Sequence, residues 1–372
     1  MRACFDIFPR IPMLLRAFCH GRGLAVAGIF MPLAIAFGAL TATSCDIHEW
    51  PEDAPADLVL RLDFNTGLPQ FIVINVGDTR ASSDGGAYDV RYIIEAYKKL
   101  SDGTVSQTPH KRYVFTKGDT GDLNAEFRLS IDEGTYLFRA WTDFVAKGTD
   151  SDLYYNTDNF RQITLQGKHS GNNDFRDAFL GSAELTVRRL GGKDPVPSGT
   201  VEMERPLAKF EFVTTDLQSF ITKAINEMKT KAGEGVSGTQ DKEIGPEDID
   251  LDKYRVVFYY SGYMPYMFNI FDNKPCDSKT GVLFESKIRS INEHEARLGF
   301  DYVFVNGKES SVMVTVGLFD EEGTQLSMSR QIEVPIKRSM LTTIKGGFLM
   351  QNTGGGVAID PGFEDEFNVW IQ

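Results

Sequence analysis

The sequence predicts a mainly β protein, built as two tandem β-sandwich domains with one sizeable helix in the second. Short runs with period-two alternation of apolar and polar residues recur through most of the chain, clusters of Gly, Asp, Asn and Ser punctuate them, and only one stretch places its apolar residues at helical spacing. A length of 372 residues is too great for one small module. At 42% hydrophobic residues the chain can fill two cores, which excludes collagen-like, coiled-coil and largely disordered readings. A net charge of −13 leaves no basic footprint for a phosphate backbone, so no nucleic acid is expected as a partner.

The N-terminus differs from the rest. Arg2, Arg10, Arg16 and Arg22 precede an apolar run from Leu24 to Leu40, broken only by Gly28, Pro32 and Gly38, and Thr41 to Ser44 lead into Cys45. Residues 1–44 therefore read as a secretion signal, with Met13 as an alternative start to Met1. The run is at the lower limit for a membrane span and contains a proline, which disfavours a transmembrane helix. Cys45 resembles the cysteine of a bacterial lipoprotein signal, which becomes the new N-terminus and carries diacylglycerol; Thr43 and Ser44 stand where that signal usually has Ala and Gly. Several acyl chains together anchor stably where one does not. Residues 45–56, acidic and punctuated by Pro51 and Pro55, suit a tether. Cys4 and Cys19 leave with the signal and Cys45 is acylated, so Cys276 alone remains and no internal disulfide can form.

The first domain is expected over residues 57–190. In Leu58, Leu60, Leu62 and Phe64 one face of a strand is apolar while Arg61 and Asp63 take the other. Similar runs occur at Tyr88 to Tyr97, Arg112 to Thr116, Glu126 to Ile131, Thr135 to Asp143, Phe160 to Leu165 and Phe179 to Val187. Residues 191–200 combine Gly191, Gly192, Pro195 and Pro197 without a hydrophobic anchor and read as the linker.

The second domain is expected over residues 201–372. Ala208, Phe210 and Phe212 alternate in a strand to Thr215, and Asp216 can cap a helix whose apolar stripe is Leu217, Phe220, Ile221, Ala224, Ile225 and Met228. A polar loop from Ala232 to Asp252 follows. Strands resume at Tyr254 to Tyr260, Tyr266 to Phe271, Leu298 to Val305, Val312 to Phe319, Gln325 to Val334, Leu341 to Phe348 and Phe367 to Ile371.

Signals for chemistry are sparse. His294-Glu295 begins like a zinc-protease motif, but Leu298 stands where the second histidine belongs, so no metal is expected. Asp119, Asp122 and Asn124, and Asp150, Asp152, Asp158 and Asn159, lack the spacing of a calcium loop. Lys168 to Gly171 reads as a turn, since Ser170 beside His169 in sequence is not a triad. Gly354 to Gly356 lacks the Lys-Ser/Thr of a phosphate loop. Cys276 lies in a turn-like stretch with no identified base. The aromatics from Tyr254 to Phe271 read as core, with sugar stacking as the reading to be taken if they are exposed. No catalytic residue and no cofactor are assigned.

Several stretches together carry a family resemblance: Ser44 to Pro51, Gly134 to Tyr136 with Trp141 to Val145, Tyr154 to Asn156, Asn173 to Phe179, Arg205 to Phe212, and Pro335 to Arg338 with Leu341 to Gly346. In this order they resemble the fimbrial lipoprotein superfamily of Bacteroidales, which includes FimB-type anchor and shaft subunits. The resemblance implies transthyretin-like sandwiches that assemble by strand donation, one subunit completing the sheet of the next. The C-terminal segment is the candidate donor, with Phe367, Val369 and Ile371 on one face; it equally suits the last strand of its own domain. Shaft subunits of such fimbriae are trimmed after an arginine, and Arg80, in the loop Gly77 to Gly86, is the candidate cut site. Anchor subunits keep that strand, and the complete first strand here leans toward an anchor.

The function expected is that of a non-enzymatic surface lipoprotein, held in the outer membrane through acylated Cys45, binding other fimbrial or surface subunits by strand donation. A glycan-binding outer-membrane lipoprotein is the alternative. Solvent-facing Trp or Tyr residues favour sugar, and an apolar edge groove favours a donated strand.

Overall fold

The computed structural model describes residues 58–72, 87–188, 195–233 and 244–351. In chain order the first strands are β1 (Leu58–Phe64), β2 (Gln70–Ile72), β3 (Tyr88–Lys98), β4 (Lys111–Lys117), β5 (Ala125–Leu129), β6 (Gly134–Ala146), β7 (Tyr155–Asn156), β8 (Ile163–Leu165), β9 (Phe179–Val187) and β10 (Ser198–Met203). Next come β11 (Leu207–Thr214), helix α1 (Leu217–Gly233), β12 (Arg255–Tyr260), β13 (Met264–Asn269), β14 (Lys274–Lys279), β15 (Leu283–Ser286) and β16 (Arg289–Ser290). The last described strands are β17 (Ala296–Phe304), β18 (Glu309–Phe319), β19 (Gln325–Met328), β20 (Ile332–Lys337) and β21 (Leu341–Gly346). The protein is mainly β, and α1 is its one sizeable helix among the described residues.

Two pairs of sheets each enclose a core. The first pair is β10-β1-β5 and β4-β3-β6-β9. Leu58, Leu60 and Leu62 meet Tyr92, Phe127, Phe138 and Phe179 inside it, while Arg61 stays exposed, as period-two alternation requires. The second pair is β16-β17-β11-β21-β2 and β15-β12-β18-β19, with β20 also paired to β18. Phe210, Phe212, Phe258, Val314 and Val316 fill its core, and α1 adds Leu217 and Phe220. A small sheet, β14-β13-β8-β7, takes strands from both halves of the chain.

Two strands cross between the sheet pairs. Ser198–Met203, which spans the end of the expected linker, pairs in parallel with β1 and buries Val201 and Met203 in the first core. In exchange β2 pairs in parallel with β21 in the second. A third core lies between the two, with Ile93, Trp141 and Leu180 on one side and Phe300, Tyr302 and Phe304 on the other. β17 lies between two cores, with Val303 in the second and Tyr302 and Phe304 in the third, and it carries a bulge: Val213 pairs with Arg297 and Phe212 with Gly299, so Leu298 is an extra residue. Before it Ala296 and Leu298 face the second core, and after it Phe300, Tyr302 and Phe304 face the third.

Three local expectations are revised. The carbonyl of Asp216 accepts from Phe220 N–H at 3.0 Å, while its carboxylate accepts the backbone N–H of Leu349 and Met350 at 3.3 and 2.9 Å, fastening the chain after β21 to the start of α1. The run Gln325 to Val334 divides into β19 and β20, since Ser329 Oγ accepts the Val316 N–H at 2.9 Å where a ladder carbonyl would otherwise stand. Cys276 sits in an exposed edge strand, β14, and not in a turn. That strand is exposed almost throughout and has no alternating apolar face, so alternation could not reveal it; β13 supplies the apolar half of the pair.

Candidate functional site

The faces that meet at the third core carry buried charge. On β3 and β6 the residues between the core-facing ones include Arg91 and Asp143, which pair side by side: Nε to Oδ1 at 2.9 Å and Nη2 to Oδ2 at 2.7 Å. Arg91 Nη1 reaches Asp152 at 2.7 Å, and Trp141 Nε1–H donates to Asp143 at 3.0 Å. Groups this buried persist as ions only with such partners.

Residues 168–177, between β8 and β9, form the joint with the second half of the chain. Asn172 lies at φ +55°, in the left-handed region that asparagine tolerates. Its backbone N–H donates to the Phe300 carbonyl at 2.8 Å, its side-chain oxygen accepts the Phe300 N–H at 2.9 Å, and its amide donates to Ser286 at 2.7 Å. Gly171 is required beside it because a Cβ there would enter the Phe284 ring. Asp174 accepts from Lys209 Nζ at 2.6 Å and from the Tyr302 hydroxyl at 3.0 Å.

The centre of the joint is Asp301. Its Oδ2 is 2.6 Å from His169 Nε2 and accepts the Tyr260 hydroxyl at 2.6 Å; its Oδ1 accepts the Tyr302 N–H at 2.8 Å and is 3.4 Å from Arg176 Nη1. Arg176 Nη1 is also 3.2 Å from both His169 Nδ1 and His169 Nε2, so the guanidinium lies against the imidazole whose Nε2 is turned to Asp301.

Three buried carboxylates at this joint differ in charge economy. Burial opposes ionisation of Asp301, but His169, Arg176 and the Tyr260 hydrogen bond outweigh it and hold its pKa below the usual aspartate range. For Asp143 burial prevails over Arg91 and the pKa is raised. Asp177, bonded to Arg205 and the Ala178 N–H, is pushed up by burial to about 6.

Beside the Asp301 cluster opens a cleft of about 360 Å³, whose lining includes Tyr154, Lys168, His169, Arg176, Tyr266 and Lys279. The aromatics read as core divide accordingly. Phe258, Tyr260 and Phe268 are buried, Tyr266 lines this cleft, and Tyr263 is 74% exposed.

Cys45, Arg80, Phe367, Val369 and Ile371 lie outside the described residues. Asp119 and Asp122 accept the backbone N–H of Gly121 and Asn124, the geometry of Asx turns. His169 is a partly buried side chain bonded to Asp301 and not merely a turn residue. No sequence signal could pair the two, since they stand 132 positions apart. The resembling stretches contain part of this charged network: Trp141, Asp143, Asp174, Arg176, Asp177, Arg205 and Lys209 come from them, while His169, Asn172, Tyr260 and Asp301 do not.

A family model matches residues 55–372, the whole of the described body. The chain belongs to DUF6562, a family of unknown function. No curated protein matches it. Among solved structures it is similar to the fimbrial anchor protein Mfa2 from Porphyromonas gingivalis, at 11% identity and a TM-score of 0.34, over 73% of this chain and 81% of that one. It is also similar to a candidate cell adhesion protein from Bacteroides eggerthii, at 12% identity and a TM-score of 0.38, over 84% and 93% of the two chains. A candidate adhesin from Bacteroides thetaiotaomicron gives 13% identity and a TM-score of 0.39, over 79% and 93%.

Proposed function

We propose that this protein is a non-enzymatic surface lipoprotein, acylated at Cys45 and held in the outer membrane, that joins other fimbrial or surface subunits by β-strand donation. The observation that carries this reading is the cysteine itself, placed directly after an apolar run and small residues and followed by an acidic, proline-bearing tether. Two transthyretin-like domains, residues 57–190 and 201–372, belong to the same reading. So do trimming at Arg80 and a donated face of Phe367, Val369 and Ile371. Unpaired main-chain groups of a sheet edge give such a joint its affinity, and alternating side chains give it register.

The chemistry of the joint supports a non-enzymatic role. His169 is held through Nε2 by Asp301 and has Arg176 Nη1 3.2 Å from both of its ring nitrogens, so neither nitrogen is open to take a proton from a substrate. Cys276, the one thiol of the mature body, is raised in pKa by burial and by Asp277 and Asp272, which disfavours a thiolate nucleophile.

Palmitate labelling of the wild type and of Cys45→Ala tests the anchor: label is expected only in the wild type, and equal labelling removes the lipid. Deletion of residues 367–372 tests donation. Higher-order species should vanish, and unchanged oligomers would assign the segment to its own domain.

A further inference from the structure

We infer that the cleft between residues 165–170 and residues 279–283 binds a carboxylate-bearing saccharide. The inference is independent of strand donation, since neither Cys45 nor the C-terminal segment takes part in it.

Charge is the first reason. In a chain of net charge −13, the cleft lining contains Lys168, His169, Arg176 and Lys279 and no Asp or Glu. Arg176 and His169 are committed to Asp301 beneath. Lys168 and Lys279 are exposed, and among the described residues neither makes an ion pair. Two ammonium groups without a carboxylate partner, one on each side of the cleft, against an acidic background, select an anion.

Shape and polarity define the rest of the ligand. About 360 Å³ lies near the lower end of the ~300–1,000 Å³ typical of small-molecule clefts, enough for a short oligosaccharide and not for a folded partner. Lys279 Nζ lies 4.1 Å from the centroid of the Tyr266 ring, so cation and aromatic face form one surface. A pyranose ring that displaces the ammonium from the ring can pack its C–H face on the tyrosine while its carboxylate meets that ammonium. Gln166, Ser170 and Thr280 add amide and hydroxyl groups suited to sugar hydroxyls. An acidic peptide would use the lysines but leave the tyrosine wall without a matching ring.

Titration calorimetry on the full chain tests this with three probes: trigalacturonate, its methyl ester, and triglutamate. The wild type should bind trigalacturonate, with the ester and the peptide each at least tenfold weaker. The double variant Lys168→Ala/Lys279→Ala and the single variant Tyr266→Ala should each lose at least tenfold, with melting temperatures unchanged because all three side chains lie at the surface of the cleft. Absence of trigalacturonate binding overturns the inference. So does equal binding of the ester or the peptide, or full binding by folded variants; if Tyr266→Ala fails to fold, Tyr266→Leu with the lysine double variant decides.

Discussion

Arg205 Nε lies 2.8 and 2.7 Å from the two carboxylate oxygens of Asp177, and the same guanidinium donates to the carbonyls of Gly67 and Thr66 at 2.7 and 2.8 Å. One side chain thereby ties together the segment after β1, the end of the joint and the entry to β11. Its planar fork also lies over the Phe179 ring at 4.6 Å. Arg205→Ala should cost about 3–5 kcal/mol, because it strands the buried Asp177 carboxylate. The apolar pair Arg205→Met with Asp177→Leu leaves no charge behind and should cost clearly less. Urea unfolding of both variants measures the difference, and equal losses would locate the effect in packing and not in the ion pair.

Asp177 and Asp301 should give opposite pH dependences. Burial pushes the folded-state pKa of Asp177 up to about 6, against 3.8 for an unperturbed aspartate. Between these values the folded state holds more protons than the unfolded one, so its contribution to stability falls as pH rises through the window, by on the order of 3 kcal/mol. Asp301 is depressed in the folded state, so its contribution is present above the unfolded pKa and is lost as pH falls through the folded one. Relative to Asp177→Asn, the wild type should lose ground from about pH 4 to about pH 7; relative to Asp301→Asn, it should stay level over that range and lose ground as pH falls below about 4. Denaturant midpoints at about pH 7, 4 and 3 check both signs.

Gly171→Ala probes the close approach of the joint to β15. The added methyl meets the Phe284 ring, itself stacked on Phe258 at 4.6 Å with an interplanar angle of 8°. A ring so packed cannot turn aside, and the expected loss is about 1–3 kcal/mol. A thermal melt unchanged from the wild type would show that the joint can shift instead.

How far the sequence foretold this depended on whether the signal was local. β1, β3, β9 and α1 were legible because their apolar residues repeat at a fixed period within the element. β14 was not, having no alternating apolar face, nor was the exchange of β2 and β10 between sheet pairs, since parallel partners far apart in sequence leave no local trace. The bulge at Leu298 left only an alternation that changes face part-way along one strand. The cleft and the Asp301 cluster are wholly long-range, which is why His169 read as part of a turn. The expected lipidation at Cys45 and the candidate donor segment rest on motifs in residues outside the described body.

Phe304 tests whether the third core makes the two sheet pairs unfold together. Its ring stacks on Phe268 at 5.1 Å and approaches Tyr155 at 5.9 Å, so side chains from β7, β13 and β17 meet at one point. Phe304→Ala should remove about 3–5 kcal/mol through lost burial and the cavity left behind. The loss falls on the contact between the pairs and leaves each pair's own core intact, so it should weaken cooperativity as well as stability. Calorimetry of the wild type is expected to show a single transition and the variant two, with the ratio of calorimetric to van't Hoff enthalpy rising above one. A variant that melts earlier but still in one step would mean that the strand exchange through β2 and β10, and not the aromatic layer, holds the halves together.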